Sequence, residues 1–152
     1  MAITPEQCKG MLAIAGLEYE QVEKFIGFCG NEEYPAGKEV FKQGDANDGN
    51  FYLVIDGTVE VVKSTRKGEE VTARLQRGDI FGEMGVFTDH ERAATIRVSE
   101  AAKCLLLTKA KYQQLRETEP VIALRFVENL LNVYFNRFRA VASKAETASF
   151  WL

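Results

Sequence analysis

The chain has 152 residues, 46% of them apolar and 27% charged, with a formal net charge of −3. That length suits one domain with a real core and helical extensions, and the composition excludes a disordered chain. The mildly acidic balance excludes a global basic field that would draw the chain to nucleic acid, and no apolar run approaches a membrane span.

Residues 4–17 read as a helix. Thr4 is a good N-cap, Pro5 fits the first helical position, Gln7 completes a capping-box pattern, and Met11, Leu12, Ile14 and Ala15 supply an apolar face before Gly16. The opening residues lack the basic region and apolar stretch of a secretory signal. A second helix is expected over 20–29, with Val22, Phe25, Ile26 and Cys29 at helical spacing and a stop at Gly30 and Asn31. From Tyr34 the period changes to that of strands. Residues 39–42 alternate, 45–50 form a polar loop, and 51–55 are a strongly apolar strand. Asp56 and Gly57 read as a hairpin turn, because glycine offers the positive φ that a tight turn needs. The next strands are expected over 58–63 and 70–75, then over 95–98 and 103–107, with turns at Arg66 to Gly68 and Arg77 to Asp79. Short strands with glycine turns at near-regular spacing predict an antiparallel barrel or jelly roll. Residues 109–117 and 120–143 read as two C-terminal helices. The second carries Val127, Leu130, Leu131, Tyr134, Phe138 and Val141 in one stripe, widened by Ile122, Phe126, Val133 and Phe135. A helix lying on one core needs a stripe of about 100°. This one is wider, which leaves three readings: a second subunit, the base of a bound ligand, or deeper burial within one domain. Phe150 and Trp151 in the polar tail are either a latch or incidental.

Three cysteines, Cys8, Cys29 and Cys104, are widely spaced among apolar neighbours. They read as free thiols in a reducing cytoplasm. With His90 as the one histidine, set between Asp89 and Glu91, the chain lacks the ligands of the metal enzymes built on β-rolls.

One long interruption breaks the strand rhythm, at residues 81–95. Phe81 is followed by Gly82, Glu83, Met84 and Gly85; nine positions after Glu83 comes Arg92, then Ala93, Ala94 and Thr95. Arg92 can give a forked, charge-assisted pair of hydrogen bonds to a phosphate. Glu83 can accept from a sugar hydroxyl, and the glycines admit a close backbone approach. A short helix starting near Glu83 would also favour an anion. The competing reading is an ordinary turn, with Arg92 paired to Asp89 or Glu91 on a solvated loop.

The whole string resembles the phosphate-binding cassette of the cyclic-nucleotide-binding domain family, found in cAMP-dependent kinase regulatory subunits, catabolite-activator-like proteins and nucleotide-gated channels. The resemblance extends over about residues 35–142. It implies a mainly β fold: an antiparallel, jelly-roll-like β-roll over 34–107, N-terminal helices within 1–30, and C-terminal helices over 108–143. It also implies a non-catalytic sensor with no cofactor. The cyclic phosphate would meet Arg92, Ala93 and Ala94, the ribose hydroxyl would meet Glu83 and Gly82, and Met84 lies in the same cassette. Val61 would touch the base, and Tyr134, Phe135 or Phe138 on a closing C-terminal helix would cap it. Family members with threonine directly after the arginine tend to take cGMP; Ala93 stands there, so the resemblance implies cAMP, with cGMP as the other possibility. The expected partner beyond the nucleotide is a second copy or an effector protein on the C-terminal helix. A DNA-binding activator is disfavoured, because a helix-turn-helix is not found after the long helix. The rival is a domain of the same fold that has lost its ligand and acts as an interaction module.

Overall fold

The computed structural model describes residues 2–83 and 87–144, with side chains through residue 140. Two 3-10 turns, Pro5–Cys8 and Leu12–Ile14, precede helix α1, Tyr19–Gly27. The strands are β1 Gly30–Tyr34, β2 Glu39–Phe41, β3 Phe51–Thr65, β4 Gly68–Leu75, β5 Ile80–Phe81 and β6 Thr95–Leu107. Helices α2, Lys109–Thr118, and α3, Pro120–Lys144, close the described chain. The six strands form one antiparallel sheet in the order β1-β6-β3-β4, with β2 added to β6 and β5 added to β3.

The two-residue period of β3 places its side chains in two cores. Phe51, Leu53 and Ile55 face a cluster with the helical residues Phe25, Tyr112, Leu115, Ile122 and Phe126. Tyr52 and Val54 face the inside of the roll with Val98, Ala102 and Cys104. Both faces are covered, so 51–55 is apolar at every position rather than alternating.

Asp56 and Gly57 do not form the expected hairpin. β3 runs through them as one strand, its pairing with β6 shifting in register on either side of Asp56 and again after Thr58. Gly57 does adopt the expected positive φ, +86°, but as a bulge. A Cβ there would collide with the carbonyl of Ala101 and the Cα of Ala102 on β6. The extra residue exchanges the two faces: even-numbered Tyr52 and Val54 point into the roll before it, odd-numbered Val59 and Val61 after it. The predicted strands 95–98 and 103–107 likewise join into the single β6.

The predicted helix over 4–17 is instead the pair of 3-10 turns, although Gln7 does accept from the Thr4 N–H at 2.8 Å as the capping pattern requires. Side chains far along the chain hold this segment. Arg77 donates to the carbonyls of Gln7 (2.7 Å) and Lys9 (3.1 Å), and Asn129 of α3 donates to those of Ala13 (3.1 Å) and Ala15 (2.9 Å). Carbonyls drawn outward in this way do not serve a continuous helix. Strand β1 was not foreseen; its Asn-Glu-Glu core carries no apolar alternation, and its register comes from pairing with β6. Among the described residues, no helix is long and apolar enough to cross a membrane.

Candidate functional site

The chain from β5 into residues 82–83, the return at 90–96, and α3 enclose a cavity of about 730 Å³. Gly82, Glu83, Arg92, Ala93, Ala94 and Val61 all line it. Met84, Gly85 and any short helix beginning after Glu83 lie outside the described residues, as do Phe150, Trp151 and the side chain of Val141.

Arg92 is only 6% exposed. Its Nη2 donates to Asp48 Oδ1 at 2.6 Å and to the Asn50 carbonyl at 3.2 Å, while Nη1 donates to the Gly82 carbonyl at 3.3 Å. The guanidinium carbon lies 4.1 Å from the centre of the Phe41 ring, a cation–π placement. Phe41 is held in turn by Phe81 and Tyr52, which stack 4.6 Å apart and 7° from parallel. The backbone is fastened as well: Arg92 N–H donates to the Asp45 carbonyl (2.9 Å) and Gly44 N–H to the Arg92 carbonyl (2.8 Å). Thus Arg92 does not pair with Asp89 or Glu91; Asp89 lies 3.7 Å from Lys109 instead. Gly82 has φ +74°, and a Cβ on it would lie 2.7 Å from the Asn50 carbonyl and 3.2 Å from Arg92 Nη1. The glycine is therefore needed to let the arginine and the 45–50 loop close on one another.

Glu83 is 7% exposed and accepts from Arg137 Nη1 of α3 at 3.1 Å, while Arg137 Nη2 donates to the Ile80 carbonyl at 3.3 Å. One turn back on α3, the Tyr134 hydroxyl is buried near the same carboxylate. Burial first, then the charge of Glu83 and hydrogen bonding to its carboxylate, push its pKa up.

The rest of the wall is apolar, with Phe41, Ala73, Leu75, Phe81 and Ile96 from the strands and Ala140 from α3. Phe135 and Phe138 do not line the cavity; both are exposed on α3, where Arg137 and Ala140 face inward. His90 is exposed, as read from its neighbours, at the rim. Sequence reasoning missed Asp48, Asn50, Phe41 and Arg137. Asp48 was visible only as one acid in a polar loop, and Arg137 as a charge interrupting an apolar stripe next to Phe138.

Chemically, the cavity presents a fixed guanidinium and a carboxylate to one half-open, largely apolar space. That arrangement suits a ligand with an anionic end, a hydroxyl and a flat apolar body. Residues 31–119 match the family model described as the cyclic nucleotide-binding domain. The chain is 32% identical to the cyclic AMP receptor protein of Thermus thermophilus over 93% of its own length and 64% of that protein. It is 35% identical to the cAMP-dependent protein kinase regulatory subunit of Blastocladiella emersonii over 67% of its length and 25% of that protein. Among solved structures, a cyclic nucleotide-binding domain from Methylobacillus flagellatus aligns with a TM-score of 0.84 at 22% identity, over 92% of this chain and 81% of that one. The chain thus spans less than two thirds of the length of either curated relative.

Proposed function

The chain belongs to the cyclic nucleotide-binding domain family, and we propose that it is a non-catalytic cyclic nucleotide sensor that prefers cAMP to cGMP. The observation that carries this reading is that Arg92 and Glu83, both buried, open onto one cavity. The cyclic phosphate sits on Arg92 and on the backbone at Ala93 and Ala94, and Met84, next in sequence after Glu83, is a further nucleotide-binding residue of this reading. The ribose hydroxyl is taken by Glu83 next to Gly82, and the base lies against Val61. Both relatives above carry cyclic AMP in their names.

The preference for cAMP rests on the wall. Phe41, Val61, Ala73, Leu75 and Ile96 offer the base no side-chain donor or acceptor, and Ala93 adds no hydroxyl. A guanine buried there leaves more polar groups unmet than an adenine does, at about 1–3 kcal/mol for each.

Signalling runs through α3. A hydroxyl arriving at Glu83 competes with Arg137 for the carboxylate, so occupancy of the cavity alters the hold of α3 on the cassette. The exposed face Leu124, Leu131, Phe135 and Phe138 is where a second copy or an effector protein receives that change. We assign Phe135 and Phe138 to this face rather than to the base. The three free thiols fit a cytoplasmic setting.

One observation favours a second reading. Arg92 and Glu83 already have charged partners, Asp48 and Arg137, as they would in a domain that had lost its ligand and become an interaction module. Titration calorimetry with cAMP and cGMP, beside thermal unfolding at saturating cAMP, decides between them. A sensor gains about 2.7 kcal/mol at a hundredfold excess of ligand over Kd and binds cAMP more tightly. An unchanged midpoint selects the module, a tighter cGMP isotherm overturns the stated preference, and loss of intact cAMP on long incubation overturns the non-catalytic reading.

A further inference from the structure

Phe41 stands outside the cassette but against its arginine, and a break in strand pairing brings it there. Strand β2 pairs with β6 at Glu39 with Arg97 and at Phe41 with Ile96, with a register shift in between. In a regular strand, residues two apart share a face. The irregularity separates them: the Glu39 carboxylate accepts from Arg97 Nη2 at 3.1 Å, while Phe41 joins Ile96 in the cavity wall. There Tyr52 and Phe81 pack against the ring, with centroids 6.3 and 6.0 Å away, and the Arg92 guanidinium carbon lies 4.1 Å from its centre. A buried cation needs partners, but each hydrogen-bond acceptor that serves as one occupies a donor. Three N–H groups of Arg92 already go to Asp48, the Asn50 carbonyl and the Gly82 carbonyl. The others must serve any anion in the cavity that Arg92 lines. The face of an aromatic ring attracts a guanidinium without occupying any of its N–H groups.

We propose that Phe41 is a positioning residue for Arg92: its ring sets the guanidinium plane, so that the N–H groups not engaged by the 45–50 loop and Gly82 are aligned on the phosphate of the ligand. The proposal deepens the sensor reading above and rests on it. The physical basis is planarity. A forked pair of hydrogen bonds to a phosphate requires the donor plane to be aligned, whereas a rotatable ammonium acts as a point charge and has no plane to align. An aliphatic side chain at position 41 would keep the wall apolar and leave the guanidinium plane unset.

The test compares Phe41→Leu, which removes the aromatic face, with Phe41→Tyr, which keeps it; Phe41→Met replaces Phe41→Leu if the latter does not fold. Calorimetry with cAMP is run at a temperature where circular dichroism shows each variant folded. The expected result is cAMP affinity lowered about three- to thirtyfold in Phe41→Leu and within about twofold of the parent's in Phe41→Tyr. In an Arg92→Lys background, Phe41→Leu should change affinity by less than about twofold, because the ring acts through the guanidinium plane. A merely structural role for Phe41 would not distinguish arginine from lysine. Three results overturn the proposal: affinity within about twofold of the parent's in Phe41→Leu, a Phe41→Tyr protein as weak as Phe41→Leu, or a loss that persists undiminished beside Arg92→Lys, which would mean that the ring meets the ligand itself. If the parent chain takes up no cAMP, the sensor reading fails and this proposal falls with it. That outcome is distinct from a parent that binds beside an indifferent Phe41→Leu.

Discussion

Arg92→Ala separates the two tasks assigned to this side chain. In this structure the guanidinium ties the 45–50 loop to the cassette through Asp48, the Asn50 carbonyl and the Gly82 carbonyl. Truncation leaves the two carbonyls without their charged donor. A hydrogen bond to a charged group is worth about 1.5–3 kcal/mol, and the bonds here are 3.2 and 3.3 Å long, so the lower end applies. The Asp48 side chain is 57% exposed, so water replaces its lost partner and that ion pair contributes less than about 1 kcal/mol. The expected loss of stability is therefore about 2–4 kcal/mol. Ligand binding should suffer separately, since the phosphate loses its forked partner: about 2–5 kcal/mol, or roughly 30- to 4,000-fold in Kd. Arg92→Lys keeps the charge but cannot reach three acceptors with one planar fork, and should fall between the two. Circular dichroism and urea unfolding measure the first effect, and calorimetry with cAMP at a temperature where the variant is folded measures the second. A folded Arg92→Ala protein with Kd within about threefold of the parent's would refute the phosphate assignment.

Other outcomes follow from the same geometry. Gly57→Ala forces a side chain into a positive-φ bulge and against the β6 backbone. It should destabilise by about 3 kcal/mol or more, and an unchanged urea midpoint would contradict the bulge. Asn129→Leu removes both donors to the Ala13 and Ala15 carbonyls from a residue only 4% exposed; a loss of about 1–3 kcal/mol is expected, read as a midpoint shift with the overall fold retained. Burial raises all three thiols, Cys104 to about 12, so a thiol reagent at about pH 8 should react with the native protein slowly and with the unfolded protein at once. Rapid stoichiometric labelling of the folded chain would count against that burial. Glu69 is held below its ordinary pKa by the hydrogen bond and charge of Arg97. Its contribution is thus present above the ordinary carboxylate range and lost as the pH falls through the lowered value. Arg97→Gln should flatten that acidic limb of a stability–pH curve.

Local chemistry carries most of the secondary structure. Thr108 as N-cap accepts from the Lys111 N–H at 3.1 Å, and α2 and α3 run as the apolar spacing predicts, because a helix closes its own hydrogen bonds and needs only a face to bury. The strand over 51–55 was equally plain, its uninterrupted apolar run reflecting cores on both sides. Residues 5–17 were misread because their carbonyls are claimed by Arg77 and Asn129, donors some 70 and 115 positions away, which no local pattern reports. Asp56 and Gly57 were misread because a positive φ serves a hairpin and a bulge alike; the partner strand selects one.

By itself the sequence determined the chemistry on offer: a guanidinium, a carboxylate and glycines at cassette spacing, with Val61 on a strand of the roll. The tertiary structure alone decided who holds them. Asp48, Phe41 and the Asn50 carbonyl fasten Arg92, and Arg137 on α3 fastens Glu83. Those contacts join segments more than 40 residues apart, and their geometry follows from how the roll closes and where α3 comes to rest, which depend on packing summed over the whole core rather than on any stretch of the chain.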